Sequence, residues 1–183
     1  MMKNKLILVL AGLLTLVSFS FAQDYEPQDF ESQGFEPQGF LEIGGSYFLI
    51  SQGDFSISGG GLNFAAIRYR KPVGIGYYMN LTYGNFFGAS FVNFDYLFGP
   101  VFRLVNIEKF SLPLTIGIYT YTGLAFYGGE TVFVGNIGLG GNISANINIS
   151  ENLHLYLRFQ GAYAFRHGGE LIITPSIGVG FGF

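Results

Sequence analysis

The sequence predicts an all-β fold: an eight-stranded antiparallel up-and-down transmembrane β-barrel with short loops, preceded by a disordered tail. The last segment shows why. Ile173, Pro175, Ile177, Val179, Phe181 and Phe183 alternate with Thr174, Ser176, Gly178, Gly180 and Gly182, the period of a strand with one face in an apolar medium. Composition agrees: charged residues make up 11% of the chain and aromatics 18%, where about 25% charged is ordinary for a soluble domain. A soluble fold so poor in charge would aggregate. Beyond residue 22 no run of about 18 apolar residues occurs, so helical spans are excluded. A closed barrel is the remaining way to satisfy every backbone group in lipid.

Residues 1–22 read as a cleaved secretory signal peptide. Lys3 and Lys5 give a positive start, residues 6–17 are apolar but too few to span a bilayer comfortably, and Ser20 and Ala22 are the small residues of a cleavage site. Cleavage is expected between Ala22 and Gln23. The chain has no Cys, which excludes a lipoprotein anchor and a disulfide framework and suits export to the oxidising periplasm.

Residues 23–39 form an acidic tail with a five-residue period, QDYEP, QDFES, QGFEP and QG, continued by Phe40. Neither helix nor strand has that period, and Pro, Gly and the carboxylates of Asp24, Glu26, Asp29, Glu31 and Glu36 oppose a packed core. Those five account for the whole negative balance of the exported chain, because the barrel region 40–183 is formally neutral. The tail serves either as a solvated leader that keeps the chain soluble for periplasmic chaperones or as a docking segment. In the second case Tyr25, Phe30, Phe35 and Phe40 would meet a basic, aromatic-lined periplasmic partner. Nothing in this charge distribution suits nucleic acid.

Strands are predicted near residues 40–50, 57–70, 73–84, 90–104, 111–126, 132–149, 153–165 and 171–183. Most exceed the roughly 9 to 11 residues that a tilted strand needs to cross the hydrocarbon. An even number returns both ends of the barrel to one side, expected to be periplasmic. On the second strand, Leu62 and Phe64 share parity with Arg68 and Arg70, which would place arginines in lipid at about 2 to 4 kcal/mol each near the midplane. A bulge near Ala65 and Ala66, or interfacial placement beside Lys71 and Pro72, is expected to resolve this. The third strand turns Val73, Ile75, Tyr77, Met79 and Leu81 outward, and the fourth Val92, Phe94, Tyr96, Phe98 and Phe102.

The later strands alternate more cleanly. The fifth sets Leu112, Leu114, Ile116, Ile118 and Leu124 outside against Thr115, Gly117, Tyr119, Tyr121 and Gly123. The sixth opposes Phe133, Ile137, Leu139, Ile143, Ile147 and Ile149 to Asn136, Asn142, Ser144, Asn146 and Asn148, and the seventh Leu153, Leu155, Leu157, Phe159 and Tyr163 to His154, Tyr156, Arg158 and Gln160. An apolar exterior around a polar interior is the inverse of a soluble ligand-carrying barrel, so a secreted binding barrel is disfavoured.

Connections fall at residues 70–72, 105–110 and 150–152 on the side of the termini, and at 51–56, 84–89, 127–131 and 166–170 on the other. All four far loops are short, which argues against functions that live in long variable loops. Phe126, Tyr127, Phe133, Tyr163 and Phe165 gather at one rim, and Phe102, Phe110, Phe181 and Phe183 at the other, as interfacial girdles.

The charged side chains predicted to face inward are Glu42, Asp95, Arg103 and Arg158, with Arg68 added if the second strand is bulged and His154 beside them. In so narrow a lumen they must pair, forming a polar plug that would admit ions only if rearranged. The glycine runs at 59–61 and 178–182 precede no helix and are not phosphate cradles. They are expected to make room for Tyr78, Tyr119, Tyr121 and Tyr156 from the opposite wall. His167, Glu130 and Glu170 would be the candidate metal ligands across two loops, but no ligand motif supports them, and no metal or cofactor is expected.

The terminal aromatic on an alternating last strand, Phe181 with Phe183, resembles the signal by which outer-membrane barrels of Gram-negative-type bacteria are recognised for assembly. Together with the strand count and the leader, residues 40–183 resemble the small eight-stranded outer-membrane barrels of the OmpA and OmpX type. The resemblance implies outer-membrane lipid, periplasmic chaperones and the barrel assembly machinery as partners. It implies a structural or surface-interaction role with a largely filled lumen, or alternatively a narrow porin-like channel for ions or small apolar solutes. Barrel enzymes of the lipid A deacylase type carry a His-x-Ser pair; here Leu155 and Tyr156 follow His154, and Gly168 and Gly169 follow His167. No enzymatic role is therefore expected.

Overall fold

A computed structural model describes residues 39–52, 55–69, 73–86, 89–107, 109–165 and 169–183. The signal peptide, residues 23–38 of the tail, Arg70 and His167 lie outside the described residues. Eight strands follow in order: β1 (Gly39–Gln52), β2 (Phe55–Arg68), β3 (Gly74–Phe86), β4 (Ala89–Ile107), β5 (Phe110–Tyr127), β6 (Glu130–Ser150), β7 (Leu153–Ala164) and β8 (Glu170–Gly182). Each pairs antiparallel with the next, and β8 pairs with β1, so the sheet closes into a barrel without a free edge strand. Every predicted strand is present, because a period-2 pattern with one greasy face is readable without knowledge of the partner.

Pairing is regular where the sequence allows it. The ladder between β4 and β5 shifts register between Arg103 and Val105, and that between β6 and β7 between Asn148 and Ser150. Between β8 and β1 it runs from Phe40↔Gly182 to Ser46↔Ser176 and resumes at Leu49↔Ile173. The skipped step lies at Pro175, which has no N–H to give. No bulge interrupts β2: Leu41↔Ala66 and Glu42↔Ala65 continue an unbroken register. Arg68 therefore keeps the outward parity of Leu62 and Phe64 and does not belong to the lumen, which corrects the bulged alternative. It closes β2 at the rim, where a long side chain reaches polar surroundings.

Polarity is inside out, as expected. Leu139, Leu157, Ile177 and Ile118 are more than half exposed, whereas Asn63, Asn80, Asp95, Ser144, Arg158 and Gln160 are buried. The interior is not uniformly polar, however. Ile67 and Val101 point inward near the rim that holds both chain ends, and Phe48 and Ile172 near the far rim. They cap a polar middle with apolar layers. Glycines on β8 seat bulky residues from the adjacent β7 rather than from the opposite wall. A Cβ on Gly178 would lie 2.7 Å from Tyr156 Oη, and one on Gly180 2.2 Å from the His154 ring, so both positions need the missing side chain.

The strands are uneven at the far rim. Gly128 and Gly129, both with positive φ, make the two-residue turn between β5 and β6, which only glycine-like residues enter cheaply. Pairing of β6 with β7 stops at Gly138↔Ala164, while β5 and β6 continue together to Tyr127↔Glu130. Residues of both parities, Val132, Phe133 and Val134 among them, are exposed there. The connection is short, as expected; β5 stays paired with β4 as far as Ser90↔Phe126, while β6 runs on beyond the end of its pairing with β7.

Candidate functional site

The candidate site is the polar middle of the lumen, built by inward positions of six strands. Arg158, on β7, lies at its centre, 1% exposed. Its Nη2 donates to Glu42 Oε2 of β1. Its Nε donates to Ser144 Oγ at 2.9 Å and its Nη1 to Asn63 Oδ1 at 3.1 Å. The guanidinium carbon is 4.5 Å from the ring centroid of Tyr78 and 4.6 Å from that of Tyr156, so two aromatic faces replace part of its hydration. The second oxygen of Glu42 meets His154 Nε2 at 2.9 Å. Both oxygens of this carboxylate are thus engaged, and a charge-assisted pair of this kind offsets its own desolvation.

From Arg158 the network crosses the lumen. Tyr156 Oη donates to Asn63 Oδ1 at 2.8 Å, Asn63 Nδ2 to Asn80 Oδ1 at 2.6 Å, and Asn80 Nδ2 to Asp95 Oδ1 at 2.6 Å. Gln160 Nε2 donates to the same oxygen at 3.3 Å. Asp95 is fully buried, yet its Oδ2 has no partner among the described residues. Below this layer Tyr78 Oη and Thr115 Oγ1 share a hydrogen bond of 2.7 Å.

The structure brings four of the predicted residues together, Glu42, Asp95, His154 and Arg158, and separates two. Arg103 faces inward but sits at the rim of the chain ends, its guanidinium carbon 3.7 Å from the centroid of Tyr69. Arg68 lies on the outward face. Phe40, the last aromatic of the tail repeat, opens β1 and packs edge-on against His154 at 4.6 Å and Tyr69 at 6.0 Å. Asn63 and Asn80 carry the network but escape a search limited to charges. Their inward parity between Leu62 and Phe64, and between Met79 and Leu81, was the available signal.

Metal ligation and catalysis find little to build on. Among the described residues no three His, Cys, Asp or Glu side chains form a metal-holding group. Glu130 is exposed, whereas Glu170 is buried at the start of β8, where Tyr121 Oη donates to its Oε2 and Asn136 Nδ2 does so at 3.1 Å. His154 has a carboxylate, but the hydroxyls nearby are committed, Ser144 to Arg158 and Tyr156 to Asn63.

Comparison with solved structures places this architecture among small outer-membrane barrels. Neisserial surface protein A superimposes with a TM-score of 0.70 at 13% identity, covering 80% of this chain and 97% of its own. Ail, the attachment invasion locus protein of Yersinia pestis, gives 0.62 at 16% identity, covering 81% and 100%. OprG of Pseudomonas aeruginosa gives 0.54 at 10%, covering 84% and 99%. No protein-family model matches the chain, and no curated protein matches it in sequence. The fold is that of the small eight-stranded outer-membrane barrel, and at these identities the likeness speaks for the fold alone.

Proposed function

We propose that this chain is a non-enzymatic, integral outer-membrane barrel, closed to solutes, that has a structural or surface-interacting role. The observation that carries this reading is the filling of the lumen. Arg158, Tyr78, Tyr119, Tyr156, Phe48 and Leu97 are each under 2% exposed, and their hydrogen bonds and ring contacts tie opposite walls together. The exposed β5–β6 hairpin supports the surface role. Between residues 124 and 137 it carries Glu130 as its one charged side chain, so its contacts would be apolar. A polyanion, such as the heparin analogue seen with Ail, finds no basic side chain on it.

Two measurements test the reading. The protein from a washed outer-membrane fraction should migrate differently on cold and boiled SDS gels, as a folded membrane barrel does. In planar bilayers it should give no single-channel steps. The competing reading is a narrow pore for ions or small apolar solutes, favoured by the continuous polar chain from His154 to Asp95. It requires steps in the unsubstituted protein that shift in Arg158→Ala.

A further inference from the structure

The barrel wall is not level at the far rim. β6 pairs with β5 up to Tyr127↔Glu130 but with β7 only as far as Gly138↔Ala164, after which one further bond, from the Phe165 N–H to the Ile137 carbonyl, ends the contact. Beyond it β6 runs on with one edge covered by β5 and the other by no strand among the described residues. β7 has 12 residues, already enough for a tilted strand to cross the hydrocarbon. The extra stretch of β6 therefore lies outside the apolar layer.

Alternation decides which groups that edge offers. Tyr127 and Glu130 flank the two-residue turn and pair with each other, so even-numbered residues of β6 aim their backbone N–H and C=O at β5 and odd-numbered ones aim theirs away from it. The bond to the Ile137 carbonyl agrees. The Ile137 N–H is capped by its neighbour's side chain, Asn136 Oδ1, at 2.9 Å. Thr131, Phe133 and Gly135 present their backbone groups on the open side. Native edges are ordinarily blunted by Lys, Pro or an inward charge. Residues 131–135 read TVFVG, without charge or proline, and are exposed on both faces, Val132 by 53% and Phe133 by 69%. Such a run favours the addition of another strand.

We infer that this edge pairs antiparallel with the same edge of a second copy of the chain, joining barrels that stand in facing membranes. The segment is complementary to itself. With Phe133 opposite Phe133, Val132 meets Val134 and Thr131 meets Gly135, and Glu130 falls opposite Asn136 rather than another carboxylate. The two-fold axis of such a pair is perpendicular to both strands. Two copies in one membrane are related by an axis along its normal, from which barrel strands are tilted by only about 35 to 45°, so they do not meet in this way. Copies in facing membranes have their axis in the membrane plane and do. Five residues a side make a weak contact singly, and many copies on two surfaces strengthen it. The inference rests on the surface-interacting reading and gives that role a partner; its failure would leave the SDS shift and the silent bilayer of the closed barrel unaffected.

The test uses the protein isolated from outer membranes and reconstituted in phospholipid vesicles, each variant being checked for its cold-to-boiled SDS shift. Vesicles carrying the unsubstituted protein should aggregate, read as light scattering. Phe133→Lys, which sets like charges opposite each other, should abolish the aggregation. The chain has no Cys, so a single introduced thiol reports its own contact. Phe133→Cys should yield a disulfide-linked dimer on mild oxidation, since the two Cα atoms of such a pair lie about 5.5 Å apart. Thr131→Cys, whose Cα atoms would lie about 14 Å apart across the same pair, should stay monomeric. Dispersed vesicles for the unsubstituted protein would overturn the inference, as would dimers in equal yield from both positions. In whole outer membranes, a Phe133→Cys adduct whose mass is not twice that of the chain would also overturn it, by giving the edge to a different protein.

Discussion

The lumen holds two buried carboxylates in opposite ways. Glu42 is met on both oxygens by cationic or imidazole donors, Arg158 and His154. Asp95 is met on one oxygen by two neutral amides and on the other by nothing from the described chain. The first is a self-contained ion pair whose removal by halves is expensive. The second is a buried carboxyl group that the described chain leaves without a cationic partner. The contrast teaches that a filled barrel is not uniformly satisfied: its paired carboxylate and its unpaired one are linked through Arg158, Asn63 and Asn80.

Substitutions should separate the two. Arg158→Ala strips Glu42 of its counter-charge and leaves a hole between Tyr78 and Tyr156; it should cost about 3 to 5 kcal/mol in urea unfolding and weaken resistance to cold SDS. Glu42→Gln keeps the shape and strands the Arg158 charge, for a loss of about 3 kcal/mol by the same assay. Asp95→Asn abandons no partner charge. Its stability should lie within about 1 kcal/mol of the unsubstituted protein, and a loss as large as that of Glu42→Gln would erase the contrast. The smallest effect belongs to Phe133→Ser on the exposed hairpin, within about 0.5 kcal/mol, measured as the shift in urea midpoint.

Much of this was legible in the chain. Parity alone assigned Glu42, Asp95, His154 and Arg158 to the interior, because in a closed sheet with lipid outside each residue has only two faces to choose from. Parity also placed Tyr78, Tyr119, Tyr121 and Tyr156 there, and all four are buried. What it left out was who meets whom. Glu42 on β1 reaches Arg158 on β7 across β8, a contact set by closure and strand stagger, for which no local pattern codes. Arg68 was given a place in the lumen only through a bulge, one of the two remedies that parity left open; the other, an outward position at the end of the strand, is the one observed. Asn63 and Asn80 were overlooked because neutral amides advertise no chemistry, although between two charged groups they carry the connection.

The closure of β8 on β1 has a consequence for how the ring is made and unmade. Every other junction joins consecutive segments, whereas β8 and β1 come from opposite ends of the described barrel and must find each other last. Its ladder omits a step at Tyr47 and Phe48, as those of β4 with β5 at Pro100 and of β5 with β6 at Pro113 also do. It acts as a buckle in a belt: the seam of the described barrel that no connecting turn holds. Amide hydrogens on either side of it should exchange with solvent before those of any seam between sequence neighbours, and a second chain's edge would find its opening there.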